Sequence, residues 1–459
     1  MKMPRQAPEP AELLRRLGKK ELLDALQQAA PLGPTVGDRY VHWDRLRRMP
    51  VPPGLSAETW WLGLKLSRQS LSQRFPLVDT SGHSFHFALV PAIQRALHLV
   101  DSKSSGRIEA LPEGLNRETG QRYIVRSLME EAISSSILEG AATTRSEAKK
   151  LLAQDRAPKN RAERMVVNNY RTMQRLSALR HEPLSVELLL ELHRTITEGT
   201  LDDPEHEGRF AQPGERRVVS DMEGNVWHEP PAPEELPARL ESFIEFANAP
   251  DEVPSTQGGH GTVTFLHPVL RAILLHFWLA YDHPFLDGNG RTARAVFYWS
   301  MLRRGYWLFE FISISELLLE SPTSYYYAFL YSETDAGDCT YFVDHQLRVI
   351  VRALANVERF IAERQAEISE LRGAVRGLGL NHRQQEALRW FIQHPSGELT
   401  IARHRSAHSV TYQTARTDLL DLEARGLLYS EKVSRALVFY AVPKLEAKLQ
   451  EERGARPAR

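Results

Sequence analysis

Between His283 and Arg294 the chain places an imidazole, a carboxylate, an asparagine flanked by two glycines, and two guanidiniums. His283 is the one side chain of this stretch that titrates near neutrality, so it can take a proton from an attacking hydroxyl. Asp287 offers a carboxylate of the kind that holds Mg²⁺ when its other ligands are water and substrate oxygens. Gly288 and Gly290, around Asn289, let the backbone turn sharply and aim its N–H groups at an anion. Arg291 and Arg294 lie three apart, on one face of a helix, and can grip phosphate oxygens in bidentate fashion. A Gly-Asn-Gly triplet alone is usually a turn, and a lone histidine is usually structural. The full set spells phosphoryl or nucleotidyl transfer. The elements that must position it are also legible. The apolar run Pro268 to Tyr281 reads as a buried helix and Thr292 to Leu302 as a second. The loop between them therefore feeds a helix N-terminus, with its orphan N–H donors and partial positive charge.

The stretch is similar to the signature of the Fic family, His-x-Phe-x-(Asp/Glu)-Gly-Asn-Gly-Arg-x-x-Arg, at every fixed position. The resemblance implies a mainly α, Fic-type fold and transfer of AMP from ATP to a Tyr, Thr or Ser hydroxyl of a protein, with pyrophosphate leaving. It implies His283 as general base, Asp287 as the Mg²⁺ ligand, Gly288, Asn289 and Gly290 as the anion hole, and Arg291 and Arg294 on the β- and γ-phosphates. The related phosphotransferase branch carries Ala and Lys where this chain has Gly288 and Gly290, so nucleotidyl transfer is the expected chemistry. The acceptor is a target protein or this chain itself; self-association as a homodimer is left open.

Upstream, Ser135 and Glu139 stand four apart, one above the other on a helix, with Gly140 as a C-terminal stop. By itself this is a solvated glutamate and a capping serine. Beside the signature it resembles the family's inhibitory motif, (Ser/Thr)-x-x-x-Glu-(Gly/Asn). The resemblance implies that Glu139 pairs with Arg294, putting a negative charge where ATP must put its own. In some relatives the same glutamate positions a water and removes AMP, so an AMP-removing hydrolase using Glu139 is the alternative within the enzyme class.

Composition sets outer bounds. The chain has 459 residues, enough for two to four domains, and equal numbers of basic and acidic residues, 58 each, so no global field steers it to nucleic acid or membrane. The single cysteine, Cys339, excludes an intrachain disulfide and fits a reducing cytoplasm. No run of about 20 apolar residues reads as a membrane span, and the polar start has no signal-peptide core.

Along the chain, residues 1–115 read as an N-terminal accessory subdomain: a helix over residues 11–30, a Pro-rich segment, and a helix opened by Trp60 and Trp61. Residues 85–100 read as helical or partly extended, and 106–120 as a linker. Over residues 116–372 the resemblance implies a Fic domain that includes the inhibitory helix. Within it Thr143 or Thr144 with Glu147 forms a capping box. Helices are expected over 160–179, where Asn160 opens the run, and 185–195, where His193 is a core or surface histidine by default. Val218, Val219 and Val226 read as a β-hairpin, which the resemblance identifies as the flap that holds a target segment by strand addition. Tyr325, Tyr326 and Tyr327 include a candidate packing partner for adenine. After a Gly-punctuated hinge at 373–379, residues 373–445 change rhythm. Asn381 and Ser409 cap two of three short helices, and 427–442 alternates like a two-stranded wing. The order resembles a winged helix-turn-helix domain and implies DNA as a partner. Thr411, Gln413 and Arg416, with Tyr412, would face the groove, while Arg403, Arg405, Lys432 and Arg435 would meet phosphates. From another functional class, the chain would then be a DNA-binding regulator with a nucleotide-sensing Fic site. Residues 446–459 form a charged tail.

Overall fold

The computed structural model describes residues 2–104, 117–220, 223–254, 263–433, 436–445 and 447–449, so Arg435 and most of the expected linker and tail lie outside the described residues. The fold is mainly helical, and none of the described helices is long and apolar enough to cross a membrane. Contacts divide the described residues into two compact units, one drawn from Met1–Arg107 and Ile124–Ala355, the other from Ile108–Tyr123 and Asn356–Arg459.

The single helix expected over residues 11–30 is broken at Gly18 into α1 (Pro10–Arg16) and α2 (Lys19–Asp24), followed by a π turn and a 3-10 turn. The break shifts the helical phase, so Leu13 is buried while Leu14, Leu23 and Leu26 face solvent. Helix α3 (Trp43–Leu46) and helix α4 (Ala57–Gln69) follow, the latter capped by Ser56. Trp43, Trp60 and Trp61 pack with Leu13 and Ala29 into a small core. Residues 72–88 then form a hairpin, β1 (Ser72–Val78) and β2 (Ser84–Ala88), before helix α5 (Pro91–Ser104).

The helical body comprises α6 (Arg117–Leu138), α7 (Arg145–Ala153), α8 (Arg161–Leu179) and α9 (Val186–Thr197). A short hairpin, β3 (Val219–Ser220) and β4 (Val226–His228), leads to α10 (Leu236–Asn248). A further strand pair, β5 (Glu252–Pro254) and β6 (Val263–Phe265), precedes α11 (Pro268–Asp282) and α12 (Asn289–Arg303). Every residue of α11 except Pro268 and Ala280 is buried, as a helix apolar on all sides requires. α12 packs along it, starting three residues earlier than the apolar pattern implied because Gly288, at φ 84°, serves as its N-cap. Helices α13 (Ile314–Glu320) and α14 (Pro322–Glu333) complete this body. Helix α15 (Thr340–Gly377) runs straight through Gly373. One glycine costs a helix only about 1 kcal/mol, too little to stop so long a run.

The second unit has its own core of Leu388, Phe391, Leu419, Leu422 and Phe439. Helix α16 (His382–Gln393) starts at an Asn381 capping box; β7 (Leu399–Thr400), α17 (Ile401–His408) and α18 (Tyr412–Ala424) follow. β8 (Leu428–Val433) and β9 (Ala436–Ala441) close a sheet ordered β7-β9-β8. Ser409 does not cap α18. It ends α17 at φ 52°, and Thr411 caps α18 by accepting from the Thr414 N–H at 3.2 Å. Thr411 itself is extended, at φ −70° and ψ 157°, which makes the hydroxyl adjacent to the helix the better-placed acceptor.

Candidate active site

The loop from His283 to Gly288 is held from below by packing. Phe285 is fully buried and stacked on the His193 ring, centroids 3.7 Å apart and the rings nearly parallel. Asn289 turns its amide back on the loop: its Oδ1 accepts from the Phe285 N–H at 2.9 Å and its Nδ2 donates to the Phe285 carbonyl at 2.7 Å. The Asn289 side chain is therefore spent on shaping the turn, and what it offers an anion is its backbone. Gly288 could carry no side chain, since a Cβ there would lie 2.8 Å from Thr197 Cγ2 and 3.2 Å from His193 Nε2. His193 Nδ1 accepts from the Gly208 N–H at 3.0 Å, so Nε2 bears the proton and donates to the Asp287 carbonyl at 2.9 Å. Burial pushes this imidazole down to about 4, which keeps it neutral. His193 is thus a brace under the loop, a role that its position on the inner face of α9 did not reveal.

His283 sits at the end of α11 with φ 45°, part-buried. Its Nδ1 is 3.3 Å from the Ala280 carbonyl, which can only accept, so Nε2 is the basic nitrogen. Burial, with the neighbouring His228 cation, pushes its value down to about 4. Asp287 is 43 % exposed at its side chain and accepts from the Gly288 N–H at 2.5 Å. Arg161, at the start of α8, reaches its Oδ2 at 3.2 Å, and Arg291 lies 3.6 Å from its Oδ1.

The two arginines of α12 are both buried but face differently. Arg291 donates from Nη1 to the Ile196 carbonyl at 3.2 Å, while its Nε and Nη2 have no hydrogen-bond partner among the described residues. Two unfilled donors on a buried guanidinium are costly unless an anion fills them. Arg294 donates from Nε to Ser135 Oγ at 2.8 Å and from Nη2 to the Ser135 carbonyl at 3.1 Å. Its Nη1 lies 2.9 Å from Glu139 Oε1. Burial opposes the charge, but Glu139 and its neighbours more than offset this, so the guanidinium stays protonated. Glu139 also covers the first turn of α12, where a Cβ on Gly290 would meet its Oε1 at 2.1 Å. Its place is set by the end of α6, a Schellman turn. The Gly140 N–H donates to the Ile137 carbonyl and the Ala141 N–H to the Ser136 carbonyl, with Gly140 at φ 87°.

His283, Asp287, Gly288, Gly290, Arg291 and Arg294 thus share one loop and helix start, and Ser135 and Glu139 come to it from α6. Tyr325 is not beside an open face; it is buried and hydrogen-bonded to His276. Thr411, Gln413 and Arg416 belong to the other unit, exposed on the outer face of α18 opposite buried Ala415, Leu419 and Leu422. Sequence reasoning gave no site role to His193, Arg217, His228 or Arg161, whose partners lie far along the chain.

Residues 183–301, which hold the loop and the hairpin, match the family model described as Fic/DOC family. The chain is 32% identical over 125 residues to "Protein adenylyltransferase Fic" of Nematostella vectensis, a match covering 27% of this chain and 24% of that protein. A Drosophila willistoni protein of the same description is 34% identical over 123 residues, covering 27% of this chain and 20% of its own length. The chain therefore spans about a quarter or less of the curated relatives it matches, and Ser135 and Glu139 lie outside the family-model segment. Among solved structures, a Fic family protein from Desulfovibrio desulfuricans G20 superimposes with a TM-score of 0.50 at 18% identity, covering 78% of this chain and 98% of that one. That likeness establishes the fold.

Proposed function

We propose that this chain is a Fic-type protein adenylyltransferase that moves AMP from ATP to a protein hydroxyl and is held back by Glu139. The observation that carries the reading is the meeting of the two motifs: a carboxylate from α6 lies against Gly290 and Arg294, where the phosphate cradle would take its own anion. In the forward reaction the hydroxyl oxygen attacks the α-phosphorus and its proton passes to His283 Nε2. The bond to the β-phosphate breaks and pyrophosphate leaves. Arg291, with two free donors, and Arg294, once released by Glu139, would neutralise the departing charge. The N–H groups at the start of α12 would bind phosphate oxygens. Mg²⁺ fits the donor set, since the exposed Asp287 carboxylate beside the cradle is the kind of single protein ligand that this ion shares with substrate phosphates. When bound it would supply charge neutralisation and orientation. The β3–β4 hairpin would receive the target segment by main-chain pairing.

The test is labelling with radioactive ATP. Glu139→Gly protein should label itself or a target at least about tenfold faster than wild type, because the competing anion is gone, and His283→Ala should abolish the label. Equal labelling of wild type and Glu139→Gly would remove the inhibitory role. Release of AMP from labelled protein by the wild type alone would favour Glu139 as a hydrolytic residue.

A second reading concerns the C-terminal unit, which we propose is a winged helix. Its support is the exposed row Tyr412, Gln413 and Arg416 on the helix that follows a tight turn. It predicts DNA binding that weakens steeply with salt. Salt-insensitive or absent binding would leave a protein-docking module. A reducing cytoplasm, consistent with the lone buried Cys339, is the proposed compartment.

A further inference from the structure

The carbonyl end of α11 is where His283 is presented, and its last carbonyls are met from the hairpin. A helix leaves its last four carbonyls without partners inside the helix and carries a partial negative charge at that end. Here the Tyr281 carbonyl lies 2.7 Å from His228 Nε2. The Asp282 and His283 carbonyls both accept from Arg217 Nη1, at 3.1 and 2.7 Å. Arg217 Nη2 reaches on to the Pro231 carbonyl, just beyond β4. Arg217 precedes β3 and His228 belongs to β4, so the cap comes from both legs of one hairpin.

His228 is a cation here by its partners alone. A carbonyl can only accept, and the other ring nitrogen, Nδ1, faces the Glu333 carboxylate of α14 at 2.7 Å. Both nitrogens must then donate, which requires the imidazolium. Burial opposes that charge, yet Glu333 and the Tyr281 carbonyl outweigh it and raise its value. The groups around it are Glu333 from α14, Asp282 and His283 from α11, and Arg217 from its own hairpin. The Asp282 carboxylate is itself taken by Arg239 at 2.6 Å and by Trp278 Nε1 at 2.9 Å. A non-glycine residue in the left-handed region persists only when its surroundings hold it. At His283 the N–H donates to the Leu279 carbonyl, Arg217 takes the carbonyl, and His228 fixes the Tyr281 carbonyl two residues earlier.

We propose that Arg217 and His228 are positioning residues that lock the backbone of His283 and tie it to the hairpin, so that seating a substrate segment there and presenting the base are one event. The inference rests on the transfer reading above and adds two residues to it. Among the described residues, the hydrogen bonds of these two side chains go to the α11 end, Pro231 and Glu333 and none to the α12 start, so both act on presentation of the base rather than on nucleotide affinity.

The test uses the full chain with Glu139→Gly as parent, adding Arg217→Gln, Arg217→Lys or His228→Leu. It reads kcat and KM for ATP in self-labelling, MgATP affinity by calorimetry, and hydrogen exchange. Displacing a catalytic group by about 1 Å costs on the order of a hundredfold, so kcat should fall about 30- to 100-fold in Arg217→Gln, with ATP affinity within about twofold of the parent. Arg217→Lys, which keeps a cation at the helix end, should recover a large part of kcat. Exchange should rise in residues 226–231 and 279–285 together and stay unchanged in 292–302. An unchanged kcat, an ATP affinity lost in step with kcat, or exchange rising throughout the chain would each overturn the proposal. If the parent itself never labels, the transfer reading fails. The exchange pattern still decides the coupling, because peptides 226–231 and 279–285 responding separately would refute it.

Discussion

Glu139 and His283 show how single residues here are defined by what surrounds them. The His283 imidazole, driven down to about 4 by burial and by the His228 cation, is neutral and ready to accept a proton throughout the neutral range. A base with the ordinary value of about 6.5 would lose more than about tenfold of its active form between pH 7 and 5. In the Glu139→Gly chain we therefore expect kcat/KM to change by no more than about twofold over that window, with the acid limb near the depressed value; a tenfold fall centred near 6.5 would contradict this. His283, Asp287, Gly288, Gly290, Arg291 and Arg294 were legible because their chemistry is written within one turn and one helix start. The Ser135–Glu139 spacing was legible because four residues make one helical turn, and their approach to Arg294 is present in the fold. Arg217 and His228 were not legible. Their partners are carbonyls some 50 to 65 positions away, and carbonyls leave no mark in a sequence. Asn289 shows the converse: its type was legible, but that its amide would close on Phe285 was not.

At the scale of elements, α6 is the part whose position matters most, because Glu139 rides on its end. About two turns earlier, Glu131 anchors the helix from within. Its buried carboxylate accepts from the Tyr298 hydroxyl, the Ser313 hydroxyl and the Ser315 N–H, each at 2.9 Å, and from the Ser315 hydroxyl. Glu130 faces the other way, paired with Arg145 and Lys149 of α7. Glu131→Ala would leave several buried donors unfilled, at a cost of about 3 kcal/mol. It should lower the melting temperature and also raise basal labelling above wild type, as the end of α6 loosens from Arg294. Destabilisation without any gain in labelling would show that Glu131 holds the fold but not the clasp. Long helices with clean apolar faces were readable in the sequence. Ends were less so, because α2 breaks at a glycine and α18 takes its cap from Thr411 over Ser409 through local geometry that competing hydroxyls make ambiguous.

Across the whole molecule, acid is the expected weak point. His42, His193, His283 and His345 are each pushed down to about 4, chiefly by burial. In the unfolded chain each would titrate near its ordinary value of about 6.5, so the unfolded state binds more protons between those values. The stability they allow is whole above about 6.5 and is lost as the pH falls toward 4. His228, raised, works in the opposite sense: its contribution is complete below 6.5 and is lost as the pH rises through its folded value. Four groups outweigh one, so thermal unfolding should move down by several degrees between pH 7 and 5, read by calorimetry. A melting point that holds steady across that interval would mean that these rings take up protons without unfolding. The long amphipathic helices of this body were legible, whereas the β1–β2 hairpin escaped notice because its alternation is brief and adjoins a helix.

The link between Arg294 and Glu139 joins two parts of one polypeptide, and that has a consequence for how idleness is maintained. Under the proposed inhibition, the Glu139 carboxylate would compete with ATP at a fixed local concentration, whatever the amount of protein in solution. Dilution cannot wake such a molecule, and crowding it with its own copies is not needed to silence it. Under that proposal, only ATP itself or something that shifts the last turn of α6 would change the fraction at rest.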